Sequence, residues 1–366
     1  MKILFIGSLA EGQTSRMRME VLRELGHTII PLDSQSGWNG LSRISRRLQQ
    51  KFCCGHPVKN VNNEVLRLVH ECKPDLLWGE KQEYIYPETL VILRKMGVRL
   101  LHYTPDPYFY LSWKQTRLSD ACMPLYDYAV TSKRYELECY RSVCQQVAYM
   151  PLGFAEAVHR PVMPLDREVR GRFTSDVSFL GGWEPRREAL LDAIVRRTSH
   201  KIKIWGYGWD HLRDGKWTLR RWWAMRRNAG SEPVKIKKNE LLAEAVQGGE
   251  VYGEEYVWAL SCARINIGFL RHVWPDQHTT RTFEIPACCS MMLADRTDEH
   301  REFFEEGVEA EFFSSEDELI DKLDFYIKNE QARETIAING FIKCHKAGYS
   351  YKNRLISVLK ELRIKI

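Results

Sequence analysis

The 366-residue chain lacks a long apolar run, because no stretch approaches the roughly 20 apolar residues that a membrane-spanning helix requires. The apolar run at its start, Met1–Gly7, is too short for a signal peptide. Its ten cysteines show no CxxC spacing, which argues against a zinc or redox site. We therefore expect a cytoplasmic protein whose cysteines are reduced and mostly buried.

A strong net charge of one sign is also lacking, because the chain has 54 basic and 48 acidic residues and a net charge of +6. This bias is too small for a dedicated nucleic-acid binder, but it suits anionic ligands such as nucleotide sugars or lipid head groups. The sequence has no Asp-x-Asp pair flanked by apolar strand residues and no His/Cys cluster. We therefore expect neither a metal ion nor another cofactor.

What the chain does contain is a repeated alternation of strand and helix patterns. Short aliphatic and β-branched runs end in turn signals and are followed by helical patterns, which predicts α/β folding with parallel sheets covered by helices. The predicted strands are Ile3–Ser8, His27–Leu32, Asp75–Gly79, Arg99–Thr104, Tyr128–Thr131, Val147–Pro151, Asp176–Gly181, Lys201–Gly206, Arg264–Phe269 and Met291–Asp295.

The alternation stops near Pro151, Pro161 and Pro164 and then restarts. It predicts two Rossmann-like, doubly wound domains, one over residues 1–155 and one over 165–350. Because ligands bind beyond the carboxyl ends of parallel strands, we expect the two sheets to face a central cleft.

One segment of the second domain carries a family resemblance. Residues 276–288 read DQHTTRTFEIPAC, and Met292–Arg296 reads MLADR. Both resemble the C-terminal signature of the CgeB-like (spore maturation) glycosyltransferases, and further matches extend the likeness over 176–355. The resemblance implies a GT-B fold with the nucleotide sugar in the second domain and acceptor contacts in the first. It also implies a C-terminal helix, about 352–366, that crosses back to the first domain. One departure is Cys289-Ser290, where the family often has glycines.

Two acidic residues of this segment are candidates for contacts with the donor. Glu284 stands at the start of a predicted helix, where its carboxylate can accept hydrogen bonds from ribose hydroxyls. Asp276 precedes it by eight positions, which resembles the E-x7-E pattern of retaining GT-B enzymes, whose first acid contacts the donor sugar. The spacing favours retention of configuration, while inversion stays open.

Between these two acids lie groups that suit a diphosphate. Arg281 and the helix N-terminus can meet the negative charge that grows as the sugar–phosphate bond breaks. Thr279 and Thr280 supply hydroxyl groups for donor binding. His278 supplies an imidazole, although it also fits a surface turn.

Seven further donor-binding candidates follow predicted strands or begin predicted helices. They are Gly181, Gly182, Gly206, Arg186, Arg187, Tyr252 and Gly253. The glycines either let the donor approach the backbone or simply form tight turns. The two arginines either face phosphate charge or are solvated residues on the first turn of a helix. The Tyr-Gly pair resembles the stretch whose backbone often contacts the nucleotide base in the family.

In the first domain, Asp106 follows a predicted strand and lies between Pro105 and Pro107. The two prolines restrict the backbone around it, which suits a catalytic base or an acceptor-binding carboxylate. A turn-forming aspartate is the alternative.

Two basic segments are candidates for contact with a membrane or an acceptor. The segment Leu41–Phe52 places Leu41, Ile44, Leu48 and Phe52 on one helical face and basic side chains elsewhere. It fits peripheral contact with the inner membrane face, an anionic acceptor, or ordinary core packing. Trp217–Arg227 is an aromatic and basic insertion that fits an acceptor-cleft wall, a membrane-docking loop or a structural helix.

Together these patterns predict a glycosyltransferase that moves a sugar from a nucleotide-diphosphate sugar to a glycan, lipid-linked or small-molecule acceptor, without a metal ion. The enzymatic alternative is a nucleotide-sugar epimerase of GT-B fold. The second alternative is a non-catalytic nucleotide-sugar-binding protein. The acidic pair Asp276 and Glu284 argues against it, together with Arg281.

Overall fold

The computed structural model describes residues 1–81, 84–111, 115–163, 166–214 and 239–364. The chain forms two compact units, one of Met1–Ala155 with Tyr351–Ile366 and one of Glu156–Ser350. Each unit contains a six-stranded parallel sheet with helices, so the predicted α/β class is confirmed. The basic insertion Trp217–Arg227 lies outside the described residues.

The first unit has the strand order β2-β1-β3-β4-β5-β6. Its strands are β1 Lys2–Gly7, β2 Thr28–Asp33, β3 Leu76–Glu80, β4 Arg99–Thr104, β5 Tyr128–Thr131 and β6 Gln146–Tyr149. Its helices before residue 155 are α1 Thr14–Glu24, α2 Arg43–Phe52, α3 His56–Cys72, α4 Pro87–Lys95, α5 Arg117–Cys122 and α6 Leu137–Arg141. Aliphatic side chains such as Leu4, Leu77 and Leu100, one from each of three neighbouring strands, pack into one core beneath the helices.

The second unit has the strand order β12-β11-β10-β7-β8-β9. Its strands are β7 Ser175–Leu180, β8 Ile202–Trp205, β9 Val246–Gly248, β10 Ala263–Gly268, β11 Met291–Asp295 and β12 Glu311–Phe313. Its helices are α7 Arg167–Phe173, α8 Pro185–Arg197, α9 His211–Asp214, α10 Glu240–Ala245, α11 Gly253–Ser261, α12 Arg281–Ala287, α13 Asp298–Phe303, α14 Glu316–Lys328 and α15 Glu330–Lys346. Helix α16, Tyr351–Glu361, follows it in the chain.

Two edge strands depart from the sequence-based expectations. Neither β9 nor β12 is among the predicted strands. Three residues are too few to display the alternation that identifies a strand. The expectation of mostly buried cysteines is wrong, because four of the ten are buried, five are half-buried and Cys54 is exposed.

The C-terminal helix α16 belongs to the first unit, as the GT-B resemblance implies. The backbone N–H of Tyr351 donates to the carbonyl of Phe154 at 2.8 Å. The Tyr351 ring also lies 5.2 Å from the guanidinium carbon of Arg18 in α1. The returning helix is therefore attached through both its backbone and its first side chain.

Arg18 is a buried cation at the centre of the first unit. Its Nε and Nη2 donate to the two carboxylate oxygens of Glu80, at 2.7 and 2.6 Å. The rings of Tyr103 and Tyr351 lie 4.7 and 5.2 Å from the guanidinium carbon. Because α1, β3, β4 and α16 each contribute one of these residues, the ion pair joins the sheet to the returning helix.

We expect Glu80→Gln to destabilise the first unit strongly. The substitution leaves the Arg18 charge buried without its counter-charge, which costs about 3–5 kcal/mol of unfolding free energy. Urea unfolding measures the loss, and hydrogen exchange of the β3 and α16 amides locates it. The control is Glu20→Gln, because Glu20 pairs with Arg23 on the surface. Equal effects of the two substitutions would contradict the role given to the buried pair.

Candidate functional site

The strand order of the second unit reverses between β7 and β10. Open α/β sheets bind ligands at such a switch point, beyond the carboxyl ends of the strands. Gly181 and Gly182 directly follow β7, and Phe269 directly follows β10. The first two donor-binding candidates therefore lie where the topology favours a ligand.

Arg187, on the first turn of α8, joins these two strand ends. Its Nη1 donates to the carbonyl of Gly182 at 2.9 Å, and its Nη2 donates to the carbonyl of Phe269 at 3.2 Å. Burial, assisted by the nearby charges of Arg271 and Arg281, lowers the pKa of Arg187 to about 10. The side chain is buried, so it supports the switch point from inside and is not a solvated surface residue.

The neighbouring Arg186 is partly exposed and pairs with a carboxylate that follows another strand. Its Nη2 lies 2.7 Å from Oδ1 of Asp295, the last residue of β11. The other oxygen of Asp295 accepts the backbone N–H of Leu270 at 2.7 Å. Burial raises the pKa of Asp295, but His272 and Arg186 outweigh it and hold this pKa below its ordinary value. The cation of Arg186 is therefore matched within the protein.

Gly206, directly after β8, lies unusually close to the neighbouring strand end. Its φ is +147°, and a Cβ atom there would lie 2.2 Å from the carbonyl oxygen of Gly181. The N–H of Gly181 donates to the carbonyl of Trp205 at 2.8 Å, which fixes this approach. The next residue, Tyr207, accepts a hydrogen bond from Nη2 of Arg271 at 3.0 Å. Gly206 thus places the hydroxyl of Tyr207 beside a cation.

Glu284, on the first turn of α12, is held by two side chains of the same unit. The hydroxyl of Tyr256 donates to its Oε2 at 2.5 Å, and Nε2 of His159 lies 3.6 Å from its Oε1. Burial and the Glu284 charge raise the pKa of Tyr256 well above its ordinary value, so the phenol stays a donor. A carboxylate offers about four lone-pair sites, so Glu284 retains acceptor capacity.

Arg281 is the first residue of α12 and is half-buried. Burial lowers its pKa, but Tyr256 and Glu284 outweigh this effect and hold the pKa above its ordinary value. Its Nη1 donates to Oγ1 of Thr280 at 3.3 Å, and its guanidinium carbon lies 5.8 Å from the centre of the Tyr256 ring. Among the described residues, its buried Nε has no hydrogen-bond partner. Arg281 is therefore a charged donor with unused capacity.

The loop before α12 is tied to β11 through His300. Because the carbonyl of Asp295 can only accept, Nδ1 of His300 carries the proton that it donates there at 2.6 Å. Its Nε2 then accepts the hydroxyl of Thr282 at 2.9 Å, and Oγ1 of Thr282 accepts the N–H of Thr279 at 3.1 Å. Burial lowers the pKa of His300 to about 4, which keeps this neutral tautomer at ordinary pH.

His278 and Asp276 both have partners within the second unit. His278 is buried, its Nδ1 contacts a carboxylate oxygen of Glu299, and its ring lies 5.4 Å from that of Phe303. This environment favours a packing role over the predicted surface turn. Oδ2 of Asp276 accepts the indole N–H of Trp274 at 2.6 Å, and the side chain is half-buried. The donor contacts predicted for both residues stay predictions.

Tyr252 and Gly253 lie at the start of α11. Tyr252 is the N-cap residue, with an exposed ring, and Gly253 adopts φ +56°. Burial of the hydroxyl and a hydrogen bond with Glu250 raise the pKa of Tyr252. Because the Tyr252 ring is exposed, a ligand can reach it. The predicted contact with the nucleotide base stays a prediction.

Asp106 lies in the first unit, in the loop that follows β4. Its Oδ2 is 3.0 Å from Nζ of Lys81, and its backbone N–H contacts Oγ1 of Thr104 at 3.2 Å. Glu136 holds the next part of the loop, because its carboxylate accepts the backbone N–H groups of residues 108, 109 and 110. The carboxylate of Asp106 is thus partly exposed on a fixed loop.

Several residues of the site were missed by the sequence analysis. They are His159, Glu184, Tyr256, Arg271, Asp295 and His300. Tyr256 and His159 meet Glu284 only through the fold, so no spacing rule identifies them. Asp295 had a usable signal, because it is the last residue of a predicted strand and polar residues there often face a ligand.

A doubly wound unit with a glycine turn at its switch point is the arrangement in which many nucleotide-binding proteins hold their ligand. Residues 186–360, which cover most of this unit, match a protein family described as Glycosyl transferase-like. No curated protein sequence matches the chain.

The fold is shared with solved structures of low sequence identity. Sucrose-phosphate synthase from Thermosynechococcus elongatus is 13% identical, with a TM-score of 0.65 over 99% of this chain and 98% of that one. Anabaena HepE in complex with UDP-glucose is 13% identical, with a TM-score of 0.62 over 99% of both chains. A putative UDP-N-acetylglucosamine 2-epimerase from Listeria monocytogenes is 9% identical, with a TM-score of 0.53 over 98% and 95%. These likenesses confirm the predicted GT-B fold.

We expect Gly206→Ala to distort the switch point. The new Cβ atom would overlap the carbonyl of Gly181, and overpacking of this kind costs about 1–3 kcal/mol of unfolding free energy. Gly248→Ala is the matched control, because Gly248 has φ +149° but nothing within 4 Å of the added atom. Both substitutions carry the backbone strain, and only the first carries the clash. Thermal unfolding of the two variants measures the difference, and equal losses would show that no close approach exists.

Proposed function

We propose that the chain is a glycosyltransferase that transfers a sugar from a nucleotide-diphosphate sugar bound by the second unit. The Glycosyl transferase-like match over residues 186–360 and the GT-B fold support the class of reaction. The complex of Anabaena HepE with UDP-glucose shows that a protein of this fold holds a nucleotide sugar. The likeness to CgeB-like glycosyltransferases is the narrower form of the proposal.

The observation that carries the proposal is the unused hydrogen-bonding capacity of Arg281. This cation is held charged by Tyr256 and Glu284, it is half-buried, and its buried Nε has no partner among the described residues. An unsatisfied buried donor is costly, so such a group is expected where a ligand supplies the acceptor. A diphosphate meets this requirement and carries the charge that a guanidinium binds best.

The other residues receive roles consistent with their surroundings. Glu284, oriented by Tyr256, accepts hydrogen bonds from the ribose hydroxyls, and Asp276 contacts the donor sugar. The glycines after β7 and β8 let the donor approach the backbone, with Tyr252 near the base. The spacing of Asp276 and Glu284 favours retention of configuration.

Arg281 also suggests how the leaving group is stabilised. Negative charge on the diphosphate grows as the bond between the anomeric carbon of the sugar and the phosphate oxygen breaks. A preorganised cation stabilises that charge more in the transition state than in the bound donor. We propose that the transfer needs no metal ion. The described residues contain no group of three or more His, Cys, Asp or Glu side chains that could hold one.

We expect Arg281→Ala and Glu284→Gln each to weaken donor binding by about one to two decades, because a hydrogen bond to a charged group contributes about 1.5–3 kcal/mol. Arg281→Ala should also lower turnover. Isothermal titration calorimetry with a panel of nucleotides and nucleotide sugars measures affinity, and release of free nucleotide in the presence and absence of a chelator measures turnover.

Arg264→Ala is the matched control for the arginine, since Arg264 is exposed at the start of β10 and pairs with Asp176. Glu255→Gln is the control for the glutamate, because it removes a half-buried carboxylate of α11 that pairs with Arg172 on the surface. Failure of every nucleotide sugar to bind would overturn the proposal. Binding followed by release of an epimerised nucleotide sugar would instead identify an epimerase. The likeness to the putative epimerase from Listeria monocytogenes favours this alternative.

We propose that Asp106 acts on the acceptor, as a base or as a binding carboxylate. Asp106→Asn should then lower turnover by about two to four decades if it is the base, while donor affinity stays near that of the unchanged protein. Glu138→Gln, an exposed carboxylate of the same unit, serves as the control. Turnover and donor affinity are measured on both variants. Loss of donor affinity in Asp106→Asn alone would assign this residue to the donor instead.

A further inference from the structure

Helix α2, Arg43–Phe52, turns its apolar residues away from the protein. The exposed fractions of Ile44, Leu48 and Phe52 are 73%, 52% and 65%, and α2 has no buried residue. These residues are spaced by four positions and therefore form one stripe along the helix. The expectation of ordinary core packing for this helix is wrong.

The side of α2 that meets the protein is polar instead. Ser45, Arg46, Gln49 and Gln50 are its half-buried residues. Nη2 of Arg46 lies 3.4 Å from Oε1 of Gln35, and Nε2 of Gln49 donates to the hydroxyl of Ser45 at 2.9 Å. A surface helix usually buries its apolar stripe, so this orientation is inverted.

Helix α4 of the same unit shows the usual arrangement. It buries Thr89, Leu90 and Leu93 against the core. Although Ile92 is exposed on the far side, the helix is held by apolar contacts of its own. Helix α2 has no buried residue, so within the described part of the chain its apolar stripe stays largely in water. Only another environment could remove that stripe from water.

Basic side chains accompany the exposed stripe. Arg43, Arg47 and Lys51 are exposed. On a helical projection Lys51 and Arg47 lie beside Ile44, and Arg43 lies next to them at the border with the half-buried polar side. Nζ of Lys51 lies 5.6 Å from the ring centre of Phe52. An apolar stripe flanked by cations complements a surface that has an apolar interior and anionic head groups.

We propose that α2 is a docking helix for anionic lipid membranes, with Ile44, Leu48 and Phe52 inserted among the head groups and Arg43, Arg47 and Lys51 contacting their phosphates. No helix among the described residues is long and apolar enough to cross a membrane. The proposed contact is a peripheral one. It does not depend on the proposed transferase activity.

Vesicle co-sedimentation of the full chain tests the proposal. We expect binding to vesicles of equimolar phosphatidylcholine and phosphatidylglycerol, weaker binding to phosphatidylcholine alone, and a decrease with ionic strength. The double variant Leu48→Gln/Lys51→Gln should lose at least about tenfold in affinity, because one cation near an anionic surface contributes about fivefold and the apolar contact is lost as well.

The matched control is Ile92→Gln/Lys95→Gln, which removes an apolar and a basic residue at the same spacing from the exposed side of α4. It should bind vesicles like the unchanged protein. Equal losses in the two double variants, or no binding to either type of vesicle, would overturn the proposal. So would sedimentation velocity showing that α2 joins two copies of the chain and that Leu48→Gln/Lys51→Gln abolishes this association.

Discussion

The second unit depends on a charged guanidinium buried between two strand ends. Arg187 donates to the carbonyls of Gly182 and Phe269, which follow the two strands at the switch point. Carbonyl oxygens at the ends of parallel strands lack partners in the sheet, so the cation both satisfies them and fixes their separation. The close approach of Gly206 to Gly181 and the hydrogen bond from Arg271 to Tyr207 lie beside the same strand ends.

A second set of contacts fixes the loop that carries Arg281. His300 connects Asp295 to Thr282, and Thr282 in turn accepts the N–H of Thr279. The burial that lowers the pKa of His300 also keeps its two ring nitrogens in different roles, one as donor and one as acceptor. The neutral imidazole therefore helps to fix the orientation of the loop before any ligand binds. Preorganisation of this kind lowers the cost of binding.

The sequence predicted the fold well because the strands are contiguous and clearly bounded. Strand β4 was predicted to the residue, since a turn at Gly97 precedes it and Pro105 follows it. The roles predicted for Arg281 and Glu284 stay predictions, and the sequence placed them near each other only because they are three positions apart. The contact of His159 with Glu284 depends on the fold, and so does the buried position of Arg187. The inverted orientation of α2 could not be foreseen either, because periodicity identifies an apolar face without showing what that face meets.

The two units treat their central cations differently, and this difference bears on where an anion binds. In the first unit, Arg18 is matched by both carboxylate oxygens of Glu80, at 2.6 and 2.7 Å. In the second unit, Arg187 donates to two uncharged carbonyls and its Nε lies 3.9 Å from a carboxylate oxygen of Glu184. Arg281 donates to the uncharged hydroxyl of Thr280. A cation that a bidentate carboxylate already neutralises gains little from a phosphate, whereas one that donates only to uncharged groups gains a charge-assisted hydrogen bond. Arg281 is therefore better suited than Arg18 to an anionic ligand, which agrees with the proposed binding of the donor by the second unit.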